Sequence, residues 1–193
     1  MGCVKKVEVN RCIQVAKKSC AEVSDGKDDA EVVGQWPKYL FDVTEDERKN
    51  GQSMELAKES FFYKGTCFTL LDAPGRQQLT SEVIKGSTLA DTAVLVVSAK
   101  KQELKASMES RLMFEHLKIA KGMGITQLIV AVNKMETAKW ARTKFDLVKD
   151  SLEPELLNLG FLKQNTQFVP ISGTNEQNIT KSVSSMDWYQ GRT

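Results

Sequence analysis

The sequence predicts an α/β fold, in which helices flank a mostly parallel sheet. The first observation that supports this prediction is a set of four apolar runs rich in β-branched residues. These runs lack the alternation of apolar and polar residues that is typical of half-exposed strands. Helix-like segments separate these runs, as expected of right-handed strand–helix–strand crossovers. A chain of 193 residues is also long enough for one substantial core.

Each apolar run predicts a strand. The predicted strands are Cys67–Leu71, Ala93–Ala99, Gln127–Val132 and Thr166–Ile171. The periodicity between them predicts three helices, over Ser81–Ala90, Met108–Met123 and Ala141–Leu159. We expect a helical and loop segment over residues 1–41, followed by an α/β core over residues 42–193, within a single domain overall.

Composition argues against several classes of function. The 27 basic and 25 acidic residues nearly cancel, so we expect no direct DNA binding. No apolar run approaches the roughly 20 residues of a membrane helix, and a membrane protein is not expected. The four cysteines lack CxxC spacing, which argues against structural zinc and favours a cytoplasmic location.

The amino terminus leaves one alternative open. Gly2 and Cys3 precede basic residues, as in doubly acylated, membrane-tethered proteins. Lys6 stands where the acylation pattern has Ser or Thr, so an ordinary start fits better.

The residues directly after each strand are the candidate site, because ligands of parallel sheets bind beyond the carboxyl ends of the strands. After the first run, Asp72 is followed three residues later by Gly75. Such an Asp can hold a Mg²⁺-bound water while the Gly backbone N–H meets a γ-phosphate. The alternative is a β-turn with Pro74 at its favoured position.

The third and fourth runs end in residues suited to a purine. Asn133 can brace the loop, the stem of Lys134 can cover a base, and the carboxylate of Glu136 can accept two N–H donors from guanine. Ser172 and Gly173 would direct a backbone N–H at the guanine carbonyl. The alternatives are a loop that caps the next helix and a simple turn.

In this order, the motifs resemble the translational GTPases, in the branch of elongation factor one alpha, the class II release factor and the Hbs-type rescue factor. The resemblance runs from about Val9 to Gly191; Asp42–Ser53 is similar to the first switch and Leu71–Gly75 to the second. It implies a P-loop-GTPase-like sheet that binds GTP or GDP with Mg²⁺. The implied nucleotide-binding residues are Asp72, Gly75, Asn133, Lys134, Glu136, Ser172 and Gly173, and the implied metal ligands are Ser53 and Asp72.

The departures from the family pattern bear on activity. The sequence contains no G-x-x-x-x-G-K-[ST] phosphate loop, so the family's first strand is expected to be missing or substituted. Arg76 occupies the position of the family's second-switch His, Ser53 replaces a Thr, and Glu136 replaces an Asp. Arg76 could act as an arginine finger in cis or be a solvated side chain, and no catalytic residue is assigned.

These departures predict a degenerate domain with weak or absent GTP hydrolysis. It would act by binding the ribosome or a protein like the release and rescue factors. The alternative is an active translation-factor GTPase whose phosphate loop lies on a segment outside this sequence. A sheet edge exposed by the missing strand would permit homo-oligomers. The only histidine, His116, is expected to pack near the sheet rather than to catalyse.

Overall fold

The computed structural model describes residues 54–63, 65–75, 77–175, 177–179, 183 and 186–191. The chain divides into two compact units, of which the first ends at Gly86 and the second begins at Ser87. The boundary expected between residues 41 and 42 lies outside the described residues, as do Asp42–Ser53 and Arg76.

The first unit contains a hairpin of two strands. Strand β1 (Ala57–Tyr63) pairs antiparallel with β2 (Thr66–Asp72), and Phe61 lies opposite Phe68. Gly65 connects the two strands with φ at +82°, a left-handed conformation that glycine adopts without steric cost. A short 3₁₀ turn, Gln77–Leu79, then leads into helix α1 (Thr80–Leu89).

The structure corrects the prediction for the run Cys67–Leu71. The run is a strand, but it belongs to an antiparallel pair, and the first five residues of β2 are exposed. The rings of Phe61 and Phe68 stack at 5.5 Å between centroids, so the apolar side chains of the hairpin meet across the strands. The sequence did not predict β1, because its first half (Ala57–Ser60) is mainly polar.

The second unit is a three-stranded parallel sheet with helices in the crossovers. Its strands are β3 (Thr92–Ser98), β4 (Gln127–Asn133) and β5 (Thr166–Pro170), in that order across the sheet. Its helices are α2 (Lys101–Glu109), α3 (Leu112–Gly122) and α4 (Arg142–Asn158). Both strand pairs are parallel, which confirms the predicted α/β class.

The helices cover one face of this sheet. Two successive right-handed crossovers in the same direction place their helices on the same side. On that side Val130 and Val132 of β4 are fully buried, and they belong to one core with Val148 and Leu152 of α4. Ala131, which points to the opposite face of β4, is buried as well, so the prediction of a strand buried on both faces holds for β4. It is wrong for β3, in which Val94 is exposed.

The predicted helix Met108–Met123 is two helices. Helix α2 ends at Glu109 and α3 begins at Leu112, because Arg111 takes φ at +58° and interrupts the helical hydrogen-bond ladder. No Gly or Pro marks this break, so the sequence carried no signal for it.

The outer edge of β5 is closed by side chains. The Tyr189 hydroxyl donates to the Phe168 carbonyl at 3.0 Å, and the Asn178 amide donates to the Pro170 carbonyl at 2.7 Å. Pro170 has no N–H to offer a further strand. None of the helices in the described part of the chain has the length and apolar composition that crossing a membrane requires.

Candidate functional site

The predicted site residues fall in both units. Asp72 ends β2 in the first unit, followed by the buried Pro74 and the exposed Gly75. Among the described residues, a Cβ built on Gly75 would meet no atom within 4 Å. Ser53 and Arg76 lie outside the described residues. The assignment of Mg²⁺ to Ser53 and Asp72 therefore stays a prediction.

The second unit brings the other five predicted residues to the carboxyl ends of β4 and β5. Asn133 is the last residue of β4, and its side-chain oxygen accepts two backbone hydrogen bonds. One comes from Lys134 at 2.7 Å and the other from Gly173 at 2.9 Å. A Cβ on Gly173 would lie 3.5 Å from the Asn133 amide, so the two loops are in close contact. Asn133 thus braces the loop, as its amide predicted.

Lys134 adopts φ at +64°, and its ammonium group lies 2.7 Å from Oε2 of Glu103. Glu103 stands in the first turn of α2, where a carboxylate also interacts favourably with the helix dipole. The hydrogen bond from Lys134, followed by one from Ser98, lowers the pKa of Glu103 to about 2. The ion pair therefore joins the loop after β4 to the first turn of α2.

Glu136 lies in the 3₁₀ turn Met135–Ala138, directly after Lys134. Its Oε2 atom is buried and has no hydrogen-bond partner within the described structure. A buried carboxylate oxygen without a donor is unfavourable and rare in folded proteins.

The loop after β5 contains Ser172 and Gly173, on the other side of the predicted base site. Their backbone N–H groups already donate hydrogen bonds within the protein. Ser172 is fully buried and exchanges two 3.1 Å backbone hydrogen bonds with Gln177. The Gly173 N–H is directed at Asn133, as described above. Within the described residues no hydrogen bond to the Thr174 N–H is found. The N–H groups of Ser172 and Gly173 are therefore both used within the protein, and their predicted donation to a guanine carbonyl stays a prediction.

Two supporting contacts were not predicted from the sequence. Glu103 was missed because the sequence pattern predicts no helix over residues 101–107, so nothing placed its carboxylate beside Lys134. The second contact is the hydrogen bond of 2.9 Å that the Trp188 indole donates to the Trp140 carbonyl. The backbone of Trp140 is in the left-handed conformation, with φ at +54°, and this bond holds the far end of the loop that begins at Asn133.

His116 stands apart from these residues in α3. Burial lowers its pKa, against the opposite influence of the Glu115 carboxylate, and its Nε2 atom is buried without a partner within the described structure. This environment is that of a packed helix residue, as predicted.

The described residues contain no cluster of three or more His, Cys, Asp or Glu side chains able to hold a metal ion. Such a cluster is not needed for Mg²⁺ at a nucleotide, which usually takes one or two protein ligands besides water and phosphate oxygens. Asp72 is of the right chemical type for this task.

Curated relatives of the chain are translation factors. It is 37% identical over 158 residues to elongation factor 1-alpha of Ignicoccus hospitalis, an alignment that covers 80% of this chain and 36% of the relative. It is 36% identical over 158 residues to the eukaryotic peptide chain release factor GTP-binding subunit of Dictyostelium discoideum, covering 79% of this chain and 28% of the relative. The chain thus spans about a third of the length of these relatives.

Similar solved structures support the α/β fold described above. The structure of sup35 complexed with GDP matches this chain with a TM-score of 0.58 and 24% identity. The match covers 95% of this chain and 39% of the sup35 chain. The bacterial selenocysteine-specific elongation factor EF-Sec matches 70% of this chain and 22% of its own, with a TM-score of 0.56 and 22% identity. The family model described as the elongation factor Tu GTP binding domain matches residues 12–190. The chain therefore belongs to the family of elongation factor Tu GTP-binding domains.

Proposed function

We propose that this chain is a degenerate member of its family, one that recognises the guanine base of GTP or GDP and hydrolyses GTP weakly or not at all. Asn133, Lys134 and Glu136 would hold the base on one side, and the loop of Ser172 and Gly173 would hold it on the other. The unpartnered, buried Oε2 atom of Glu136 is the observation that carries the base-binding proposal.

The chemistry of guanine suits this arrangement. Its N1–H and 2-amino groups are adjacent donors on one edge, and a carboxylate accepts two such donors in a bidentate, charge-assisted manner. Asn133 already orders both loops through its side-chain oxygen, so little further ordering is needed when a base enters. The methylene stem of Lys134 would cover the base while Glu103 holds its ammonium group.

Phosphate binding is the weak part of the proposed site. Asp72 and Gly75 would meet Mg²⁺ and the γ-phosphate, together with Ser53, but the sequence has no G-x-x-x-x-G-K-[ST] loop. Arg76 stands at the position of the family's second-switch His. Phosphoryl transfer depends almost entirely on positioning and charge stabilisation, so both changes lower the expected rate of hydrolysis.

The biological role would then lie in binding rather than in turnover. The relatives are a translation elongation factor and a release factor subunit, which supports a cytoplasmic protein that binds the ribosome or a partner like the release and rescue factors. Termination and ribosome rescue are the two processes that this resemblance favours. The alternative function is an active translation-factor GTPase that receives its phosphate loop from a segment outside these residues.

Calorimetric titration with guanosine, GDP and adenosine in the presence of Mg²⁺ tests the proposal. We expect guanosine and GDP to bind with similar dissociation constants, in the range of about 0.1 to 1 mM, because the base supplies the affinity. Adenosine should not bind. GDP binding much tighter than guanosine binding would instead support the active alternative, and equal binding of adenosine would exclude guanine recognition.

The variant E136Q sharpens this test. An amide can donate to the 2-carbonyl of xanthine but cannot accept both guanine donors, so the variant should lose guanosine affinity about tenfold or more and gain affinity for xanthosine. The control is E109Q, which removes an exposed carboxylate of α2 that pairs with Lys105. Unchanged guanosine binding by E136Q would overturn the proposed role of Glu136.

A further inference from the structure

The two edges of the parallel sheet differ in how they are protected. The outward carbonyls of β5 are occupied by Tyr189 and Asn178. Strand β3 pairs only with β4 among the described residues, so its other edge carries no partner strand there. Unpaired strand edges are ready templates for a further strand, and folded proteins usually protect them.

The backbone of β3 shows which groups this edge presents. The Ala99 N–H donates to the Asn133 carbonyl at 2.8 Å, so Ala99 and the alternate residues before it point their backbone groups at β4. Val94 and Val96 have the opposite parity, and their N–H and C=O groups point away from β4. Since no described residue pairs with these backbone groups, they are available within the described structure for a second antiparallel or parallel ladder.

The side chains at the same positions are apolar and exposed. Val94 is 56% exposed and Val96 is 60% exposed, and both lie on the face that the helices of the crossovers do not cover. The strand Thr92–Ser98 contains no charged residue, proline or glycine, which are the usual devices against edge pairing. An uncharged strand of seven residues with high β-propensity has the composition of a self-associating segment.

We propose that β3 is a homodimerisation edge, at which β3 of a second copy of this chain adds antiparallel across a two-fold axis at Leu95. The order of residues supports a second copy as the occupant, because the strand is self-complementary about this residue. Thr92 would face Ser98 of the copy, so that two hydroxyl side chains meet at each end. Val94 would face Val96 of the copy, and the four valines would form one apolar cluster.

This two-fold pairing extends the sheet from three strands to six. Every outward backbone group from Thr92 to Ser98 would gain a hydrogen-bond partner, since residues exchanging both bonds lie directly opposite. An isologous interface of this type closes after two copies and does not propagate into a fibre. Side chains occupy the outer edge of β5, so among the described residues β3 is the edge at which the sheet can be extended. This is consistent with an assembly that stops at two copies.

Sedimentation equilibrium from about 1 µM to about 1 mM measures the association. We expect a reversible monomer–dimer equilibrium for the chain. The double variant V94K/V96K should weaken dimerisation at least about tenfold, since the introduced lysines would face each other across the axis. The matched control L147K/L157K adds the same charge at two exposed leucines of α4 and should dimerise as the parent does.

The variant V94T/V96T guards against misfolding, because threonine keeps the β-branched shape and carries no charge. It should retain the far-ultraviolet circular dichroism of the parent and still dimerise more weakly. A parent that remains monomeric at every concentration would overturn the proposal. A V94T/V96T variant that is folded and dimerises as strongly as the parent would also overturn it.

Disulfide trapping tests the register. In a background whose four native cysteines are replaced by serine, V94C and V96C are mixed and oxidised by dissolved oxygen with a copper catalyst. Opposite residues have Cα atoms about 5.5 Å apart, within the range of disulfides. We expect V94C to cross-link with V96C faster than with itself. A dimer that lacks this preference would exclude the β3–β3 register. Such a dimer is expected if two copies associate by stacking the open faces of their sheets.

Discussion

The side-chain oxygen of Asn133 accepts a hydrogen bond from the backbone N–H of Gly173 at a distance of 2.9 Å. The two residues are 40 positions apart in the sequence, and the bond joins the end of β4 to the loop that follows β5. A single amide thereby holds both walls of the proposed base site, which makes Asn133 a structural residue as well as a candidate ligand.

The first prediction concerns this bond. The variant N133A should lower the free energy of unfolding by about 1 kcal/mol, because the N–H groups of Lys134 and Gly173 lose their acceptor. The variant N133D retains an oxygen acceptor and should keep most of this stability. Urea unfolding measures both values, and amide hydrogen exchange at Gly173 reports the bond itself. Equal losses in N133A and N133D would contradict the role given to the oxygen.

The second prediction concerns the ion pair of Lys134 and Glu103. Since the hydrogen bond from Lys134 is the largest cause of the low pKa of Glu103, the variant K134M should raise that pKa from about 2 toward its ordinary value of 4.5. In the parent, the stability that the pair contributes is fully present above pH 4.5, the pKa of the unfolded chain, and is lost as the pH falls through about 2.

Carbon-detected NMR of the Glu103 side-chain carboxyl during an acid titration measures this pKa directly. The control variant K105M removes the lysine that pairs with Glu109, also in α2, and should leave Glu103 unchanged. A Glu103 titration that is the same in K134M and in the parent would show that Ser98 and Lys100, rather than Lys134, lower the pKa.

The third prediction concerns His116. Burial lowers its pKa below the ordinary value of 6.5, so on acidification the unfolded chain binds a proton before the folded chain does. The stability that neutral His116 contributes is therefore present above pH 6.5 and decreases as the pH falls below that value. Thermal unfolding at a series of pH values should show this decrease in the parent. The variant H116Q, which cannot titrate, should show a smaller decrease between pH 7 and about 5. Identical profiles would contradict the prediction.

The fourth prediction concerns the closed edge of β5. The variant Y189F removes the hydroxyl that donates to the Phe168 carbonyl and should lower the free energy of unfolding by about 0.5 to 1.5 kcal/mol. Removing a hydroxyl from the solvent side of α4, in S151A, should change stability by less than about 0.5 kcal/mol. Chemical denaturation compares the two. A loss in S151A as large as that in Y189F would show that the effect is not specific to this edge.

The tyrosine can also be followed by its own ionisation. Burial raises the pKa of Tyr189 above the ordinary value of 10.0, partly offset by a hydrogen bond with Gln167. A difference titration of tyrosine absorbance between the parent and Y189F should therefore show one phenol that ionises later than a free tyrosine. An ordinary titration would indicate that the ring is more accessible than its position implies.

The sequence by itself determined the class of fold and the positions of the residues proposed for the site. Runs such as Gln127–Val132 carry their own signal, because a strand covered on both faces can be continuously apolar. The polar residues that follow, such as Asn133 and Glu136, are recognisable because a parallel sheet places strand ends along one edge. Chemical type and spacing along the chain are local properties, and they can be read without coordinates.

Only the tertiary structure decided the partners and the exposure of these elements. The runs that became β2 and β4 look alike in sequence, yet β2 lies in an exposed hairpin and β4 in the core. The contact of Lys134 with Glu103, 31 positions away, depends on how α2 follows β3. Pairing and burial depend on which segments meet in space, and long-range contacts of this kind leave no periodicity in the sequence.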